Sequence, residues 1–278
     1  MVSLYEKIRP RLGFADPYQG DTIEDSVDFA VQHGFRIAEI NLNRSRFFPE
    51  NFTPQERTSI KAYSESKGVS LSFHGPVDVS LMPRHRVIRE ASILRLREMI
   101  DFADDLGGKT FTIHPGRVAF FHAGENKVYF LKKHYPQTYF EALKSSLRNL
   151  SSHAEARISL CIENTYHLDE AVKEVIEAVL SENELYLTWD VAHAGGGDSE
   201  AQKETFSFFE SHLDKIRVVH LHDRREGKTH LAIGTGEIDF SSIFRLLADS
   251  EAYFIIEMRN RAQTILSLSN LESYLKGS

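Results

Sequence analysis

The amino-acid sequence predicts an α/β protein with a single (β/α)8 TIM-barrel domain, and three observations support this prediction. Short apolar segments alternate strictly with helical segments, and eight such pairs fit within 278 residues. Such alternation indicates a parallel sheet, and eight units are typical of a closed barrel of about 250 residues. No low-complexity linker divides residues 1–278, so we expect one domain.

Eight apolar runs are the predicted strands, because they are short, often rich in β-branched and aromatic residues, and bounded by glycine or polar residues. They cover 11–14, 35–42, 69–74, a run that ends at His114, 158–162, 185–191, 216–221 and 253–256. A doubly wound open sheet is the alternative. It usually carries a phosphate-binding glycine fingerprint after its first strand, and the sequence after Gly13 does not have that pattern.

Helices are predicted between the strands. They cover 21 to about 32, 54–67, 85–106, 136 to about 153, 168–180, 200–212, 240–248 and 262–275. Asp21 and Glu24 predict a capping box for the first helix, and Gly34 predicts its end. The helix over 85–106 has apolar residues near the 3.6 period, which predicts one buried face. These residues are Val87, Ile88, Ala91, Leu94, Met99, Ile100 and Ala103.

The segment over 117–135 is too long for a plain connection between a strand and a helix. It carries several aromatic and lysine side chains. Long loops in compact domains are usually functional or disordered, and we expect a lid over the carboxyl ends of the strands.

Composition excludes some classes of protein. The hydrophobic content of 41% and charged content of 26% are those of a water-soluble globular protein. No apolar run of about 20 residues and no signal-peptide pattern is present, which predicts a cytoplasmic protein without membrane contact. The net charge of −7 gives no basic footprint for nucleic acid. The single cysteine, Cys161, excludes an intramolecular disulfide and indicates a buried strand residue.

Six of the eight predicted strands end in a side chain that can bind metal or transfer protons. These residues are His74, His114, Glu163, Asp190, His220 and Glu257. The carboxyl ends of barrel strands open onto one face, so the six side chains are expected to converge. Imidazole and carboxylate groups without thiolates suit Zn²⁺ or Mn²⁺. Carboxylates gathered in an apolar barrel without a cation would have raised pKa values, and a metal resolves that conflict.

One histidine at a strand end is usually a hydrogen-bonded structural residue, so the prediction depends on the joint placement of all six. His220 and His222 need separate treatment, because residues two apart on a strand point the same way. We expect His220 to be the ligand, since it directly follows the apolar run. His222 and Asp223 are expected to lie higher, at the rim.

Several motifs together carry a family resemblance. They are His74-Gly-Pro, His114-Pro-Gly, Ile162-Glu163-Asn164-Thr165, Asp190-Val-Ala-His193, His220-Leu-His-Asp223 and Gly234-Thr-Gly-Glu-Ile-Asp239, with Glu257 at the end of the last strand. The chain from about Arg11 to Glu257 resembles the xylose isomerase-like TIM-barrel superfamily. That superfamily includes sugar and sugar-phosphate isomerases and epimerases, and also endonuclease IV.

The resemblance implies roles for individual residues. Glu163, Asp190, His220 and Glu257 match the four metal ligands of the ketose 3-epimerases, in which the two glutamates also act as the acid/base pair. The residue matching His193 contacts substrate there. Endonuclease IV adds zinc ligands, and these match His74, His114, His193 and His230. A further aspartate ligand of that enzyme falls at Lys228, which argues against a third zinc. The cofactor implied is therefore one to three divalent ions, Zn²⁺ or Mn²⁺.

The leading hypothesis is a metal-dependent isomerase or epimerase of a sugar, sugar phosphate or polyol. Glu163 and Glu257 would transfer the proton, and His193 or His74 would hydrogen-bond a substrate oxygen. Arg225 and Lys228 would bind a distal hydroxyl or phosphate. The alternative is a zinc-dependent phosphodiesterase resembling endonuclease IV, an AP endonuclease, and only this alternative implies nucleic acid as a partner.

The AP endonuclease hypothesis is weaker at two positions. Tyr166 follows Glu163-Asn-Thr where that family has a small, glycine-containing segment, and Val77 lies in the segment where it usually has a tyrosine for the DNA backbone. A non-catalytic ligand-binding barrel is the third class. The sequence is compatible with a homo-oligomer and does not determine its stoichiometry.

Overall fold

Eight parallel strands form a closed barrel in the computed structural model, which describes residues 2–124, 126–165, 170–182, 185–195 and 199–276. Each strand pairs with the next along the chain, and the last pairs with the first. The strands are β1 Leu12–Ala15, β2 Ile37–Asn41, β3 Ser70–His74, β4 Thr110–Ile113, β5 Ser159–Glu163, β6 Leu185–Asp190, β7 Ile216–Leu221 and β8 Tyr253–Ile256. The predicted (β/α)8 barrel is confirmed, and the open-sheet alternative is wrong.

A helix follows each strand. These helices are α1 Ile23–His33, α2 Pro54–Ser66, α3 Arg86–Asp105, α4 Pro136–Ala154, α5 Glu170–Glu182, α6 Ser199–Glu210, α7 Phe240–Leu246 and α8 Arg261–Lys276. The predicted start of α5, at 168, lies outside the described residues. The predicted capping box of α1 is wrong by one position. The hydroxyl oxygen of Thr22 accepts a hydrogen bond from the backbone N–H of Asp25, and the carboxylate of Asp25 accepts one from the backbone N–H of Thr22.

The predicted buried face of α3 is present only in its second half. The buried side chains of this helix are Leu96, Met99, Ile100, Phe102 and Ala103. Val87 is 76% exposed, and Ile88 and Leu94 are also exposed, so this part of the prediction is wrong. A helix of 20 residues is about 30 Å long, whereas the four-residue strand β4 spans about 13 Å. We attribute the exposure of the first turns to this difference in length.

The inside of the barrel combines small apolar side chains with paired hydroxyl groups. Cys161 is fully buried, as predicted, and burial raises the pKa of its thiol to about 12. Ser72 Oγ lies 2.7 Å from Thr110 Oγ1. Only glycine fits at position 13 on β1, because a Cβ atom there would lie 2.6 Å from the Cβ of Ile37.

The space between barrel and helices is filled by large apolar side chains. Trp189 on β6 is fully buried and stacks on Phe209 with ring centroids 5.1 Å apart, while Phe206 contacts it edge-on. Side chains alternate along a strand, so burying Trp189 outside the barrel directs Asp190 into it. Within the described part of the chain, no helix is long and apolar enough to span a membrane.

The predicted lid segment has secondary structure of its own. An antiparallel hairpin pairs Phe121–Ala123 with Asn126–Val128, and a short helix covers Phe130–His134. Several of its aromatic side chains are exposed, Phe121 by 59%. Its role as a lid stays a prediction.

Candidate metal centre

The candidate centre lies at the carboxyl ends of strands β3 to β8, where all six predicted strand-end residues are found. His74, Glu163 and Asp190 are the last residues of their strands. His114 and Glu257 directly follow β4 and β8, and His220 is the last residue but one of β7. The barrel brings these ends together on one face, as the sequence predicted.

Glu163 is the central carboxylate of the cluster and is buried. Its Oε2 atom lies 3.1 Å from Nε2 of His74 and 2.9 Å from Nε2 of His114. Its Oε1 atom lies 3.3 Å from Nδ1 of His220. One oxygen of this carboxylate therefore faces His74 and His114, and the other faces His220.

Asp190 is fully buried and is held by its neighbours on both sides. One oxygen accepts a hydrogen bond from the backbone N–H of His193, at 2.7 Å. The other lies 3.0 Å from Nε2 of His222 and 2.9 Å from Nδ1 of His193. The side chain of Asn164 donates to the carbonyl and accepts from the N–H of Asp190, both at 2.9 Å. This pair of bonds fixes the end of β6 against the end of β5.

Glu257 has a buried oxygen that points into the histidines. Its Oε2 atom lies 3.8 Å from both Nδ1 of His220 and Nε2 of His222. Among the described residues this atom has no hydrogen-bond partner. A buried carboxylate oxygen without a partner is costly unless a cation neutralises it. The donor set therefore fits a divalent ion at this position.

Glu39 is a member of the cluster that the sequence prediction missed. It is fully buried on β2, and its carboxylate lies 3.2 Å from Nε2 of His220. The hydroxyl of Ser72 donates to it at 3.1 Å. Glu39 lies two residues before the end of its strand, whereas the prediction considered only strand ends. A charged residue between two apolar ones, Ala38 and Ile40, inside a predicted strand was the available signal.

Carboxylates raise the pKa values of two histidines in the cluster, His74 and His193. Burial lowers the pKa of His74, but the hydrogen bond and charge of Glu163 outweigh it and raise that pKa to about 9. For His193 burial is likewise outweighed, here by Asp190, and its pKa is about 9. Burial would raise the pKa of Glu163, but the charges of His114 and His220 hold it well below its usual range. In the metal-free protein the protons on His74 and His193 supply positive charge that a bound cation could supply instead.

The remaining predicted residues lie on a hairpin after β7, which pairs Asp223–Arg225 with Lys228–Leu231. The ring of His230 stacks on that of His222 with centroids 4.1 Å apart, and it lies 5.5 Å from that of His193. Arg225 donates to the carbonyl of Thr235. Arg225 and Lys228 are exposed, and none of their described contacts is with the metal-binding cluster.

His222 and Asp223, which were expected to lie higher at the rim, are both buried. Asp223 accepts from the backbone N–H groups of Gly234 and Gly236, at 3.0 and 2.7 Å. Its carboxylate thereby fixes the loop that follows the hairpin. The ring of His230 stacks on the ring of His222 and covers one of its faces.

A family model described as xylose isomerase-like TIM barrel matches residues 27–276. A curated relative, MJ1614 of Methanocaldococcus jannaschii, is 27% identical over 223 residues, which is 77% of this chain and 80% of the relative, and its function is uncharacterised.

Two solved structures have a similar fold. A D-tagatose 3-epimerase-like protein superposes with a TM-score of 0.77 at 20% identity, over 96% of this chain and 97% of that protein. Endonuclease IV of Thermus thermophilus superposes with a TM-score of 0.72 at 21% identity, over 97% of this chain and all of that chain (100%). At these identities the two likenesses establish the fold alone.

Proposed function

We propose that this chain, which belongs to the xylose isomerase-like TIM-barrel family, is a metal-dependent isomerase or epimerase of a sugar, a sugar phosphate or a related polyol. The main support is that Glu163 and Glu257 lie 3.3 and 3.8 Å from the same atom, Nδ1 of His220. Together with Asp190 and His220, these two glutamates would hold one divalent ion. Such an ion supplies Lewis-acid polarisation of a carbonyl oxygen.

The two glutamates differ in how free they are to move a proton. Both oxygens of Glu163 already face histidine nitrogens. Glu257 keeps one oxygen that has no hydrogen-bond partner among the residues the structure describes, and its side chain is 24% exposed, against 3% for Glu163. We therefore assign removal of the substrate α proton to Glu257, and its return on the other side to Glu163.

The substrate would be positioned by side chains at the open side of the cluster. His193 is part-exposed, with 21% of its side chain accessible, so its ring could hydrogen-bond a substrate oxygen. His74 is almost fully buried, which favours a role toward the ion or Glu163 over direct substrate contact. Arg225 and Lys228 stay candidates for a distal hydroxyl or phosphate.

The test is exchange of the α proton of ketoses with D₂O, followed by NMR with Mn²⁺, Co²⁺ or Zn²⁺. We expect exchange with at least one substrate of a panel of ketoses and ketose phosphates. Glu257→Gln should lower its rate by at least about 100-fold, the scale of general acid/base catalysis. Glu251→Gln, an exposed glutamate at the opposite end of β8, is the matched control and should not change the rate. Absence of exchange across the panel would contradict the proposal.

A second candidate, a phosphodiesterase with two or more zinc ions, is favoured by one specific observation. Nε2 of His74 and Nε2 of His114 both face Oε2 of Glu163. A one-metal epimerase does not need these two additional histidines as ligands. Nδ1 of His74 lies 2.8 Å from the carbonyl of Gly75 and donates to it, so Nε2 can offer its lone pair to an ion. Two ions sharing Glu163 could clamp a phosphate between them.

Metal analysis separates the two candidates. About one ion per chain favours the epimerase, and two or three favour the phosphodiesterase. Cleavage of a duplex with an abasic site, abolished in Glu163→Gln, would favour the second candidate. The exposed Lys228 argues against a third ion, because an ammonium group is not a metal ligand.

A further inference from the structure

Two histidines, His220 and His222, enter the cluster from the same strand end, and their hydrogen bonds differ. Nε2 of His220 lies 3.2 and 3.3 Å from the two oxygens of Glu39. An ionised carboxylate only accepts hydrogen bonds, so Nε2 carries the hydrogen. In the neutral ring the lone pair is then on Nδ1, the atom that faces Glu163 and Glu257.

His222 is held in a way that leaves no lone pair toward the carboxylates. The backbone N–H of His230 donates to Nδ1 of His222 at 2.9 Å. A backbone amide is only a donor, so Nδ1 carries the lone pair and Nε2 the hydrogen. That N–H points at Asp190, 3.0 Å from Oδ2, and donates to it.

The backbone that makes this bond is itself fixed. His230 has a φ of 55°, in the left-handed region that non-glycine residues rarely adopt. The hairpin holds it there, because Asp223 pairs with Leu231 and the carboxylate of Asp223 fixes the following loop. For Nε2 of His222 to bind an ion, Nδ1 would have to be protonated, and the N–H of His230 would then face another N–H.

We propose that Glu39 and His222 are positioning residues for the metal centre, and that of the two histidines only His220 is a ligand. Glu39 directs the lone pair of His220 toward the ion, and His222 orients the carboxylate of Asp190. This inference rests on the proposed function, in which Glu163, Asp190, His220 and Glu257 hold the ion. Carboxylates that bind the second nitrogen of a ligating histidine typically contribute 10- to 100-fold to metal affinity.

The first test uses the wild-type protein with ¹⁵N-labelled histidine rings, observed by NMR without metal and with Zn²⁺. We expect the two nitrogens of His222 to keep the pattern of an Nε2–H ring in both states. Zn²⁺ should change the Nδ1 resonance of His220. A zinc-induced change at Nε2 of His222 would overturn this proposal and leave the proposed function standing. Absence of zinc binding would overturn both.

The second test is Zn²⁺ affinity by calorimetry, with variants matched in shape. Glu39→Leu should weaken binding about 10- to 100-fold without changing the number of ions bound, whereas Glu39→Gln keeps an acceptor for His220 and should retain most of the affinity. His222→Leu should also weaken binding about 10- to 100-fold, and His222→Gln, which keeps an N–H donor for Asp190, should restore it. Loss of one bound ion in His222→Leu, with no rescue by His222→Gln, would overturn the proposal.

Discussion

Raising the pH of the metal-free protein from 6.5 to 9 should lower its free energy of unfolding. Burial lowers the pKa of His74, but Glu163 raises it more, to about 9 in the folded protein against 6.5 ordinarily. Asp190 does the same for His193, also to about 9. A pKa raised on folding means that the folded state binds the proton more tightly. The resulting stability is fully present below pH 6.5 and is lost as the pH rises through about 9.

The size of the effect follows from the shift in pKa. A rise from 6.5 to about 9 corresponds to about 3 kcal/mol for one histidine, at about 1.36 kcal/mol per pH unit. His74 and His193 share the field of Glu163, so their contributions do not simply add. Each histidine is half-titrated in the unfolded state at pH 6.5 and in the folded state at pH 9, so its loss between these values is about 2.5 kcal/mol, and we expect a total loss between about 2.5 and about 5 kcal/mol.

The assay is urea denaturation with EDTA at several pH values, followed by circular dichroism. His74→Gln should remove part of the pH dependence, whereas His85→Gln, at an exposed position, should leave it unchanged. Saturating Zn²⁺ should reverse the trend, because ion binding requires deprotonated ligands. A free energy of unfolding that is constant or rises between pH 6.5 and 9 in EDTA would refute this reasoning.

Three further predictions concern the scaffold of the site. Trp189→Ala removes a buried ring packed on Phe209 and should cost about 3–5 kcal/mol by urea denaturation, and a cost below about 1 kcal/mol would contradict the packing. Gly13→Val places side-chain atoms against Ile37 inside the barrel and should lower the melting temperature, whereas an unchanged value would mean that the interior has room. Asp223→Ala removes the acceptor for backbone N–H groups over 234–238 and should speed their hydrogen exchange without unfolding the barrel, and unchanged exchange would count against this role.

The architecture was predictable because its signals are local. Short apolar runs, the helical period between them and the glycines that end helices all lie within a few residues of the element they define. Two predictions, the N-cap of α1 and the buried face of α3, were wrong because they depend on the folded backbone. Thr22 and Asp21 are both good N-cap residues, and only the folded backbone decides that Thr22 takes the role. The apolar period of α3 does not reveal how far the helix extends beyond the barrel.

The sequence by itself determined which chemical groups meet. His74, Glu163, Asp190, His220 and Glu257 lie at or next to the ends of strands, and a barrel collects its strand ends on one face. Their convergence follows from the topology alone, so it could be predicted without knowing any distance.

Only the tertiary structure decided how those groups face one another. Glu39 is 181 positions from His220, and its hydrogen bond determines which nitrogen of that ring points toward Glu163. The backbone of His230 determines the same for His222. The lone pair of a histidine depends on the partner of its other nitrogen, and that partner comes from whatever the fold packs beside it. No periodicity or spacing in the sequence records that choice.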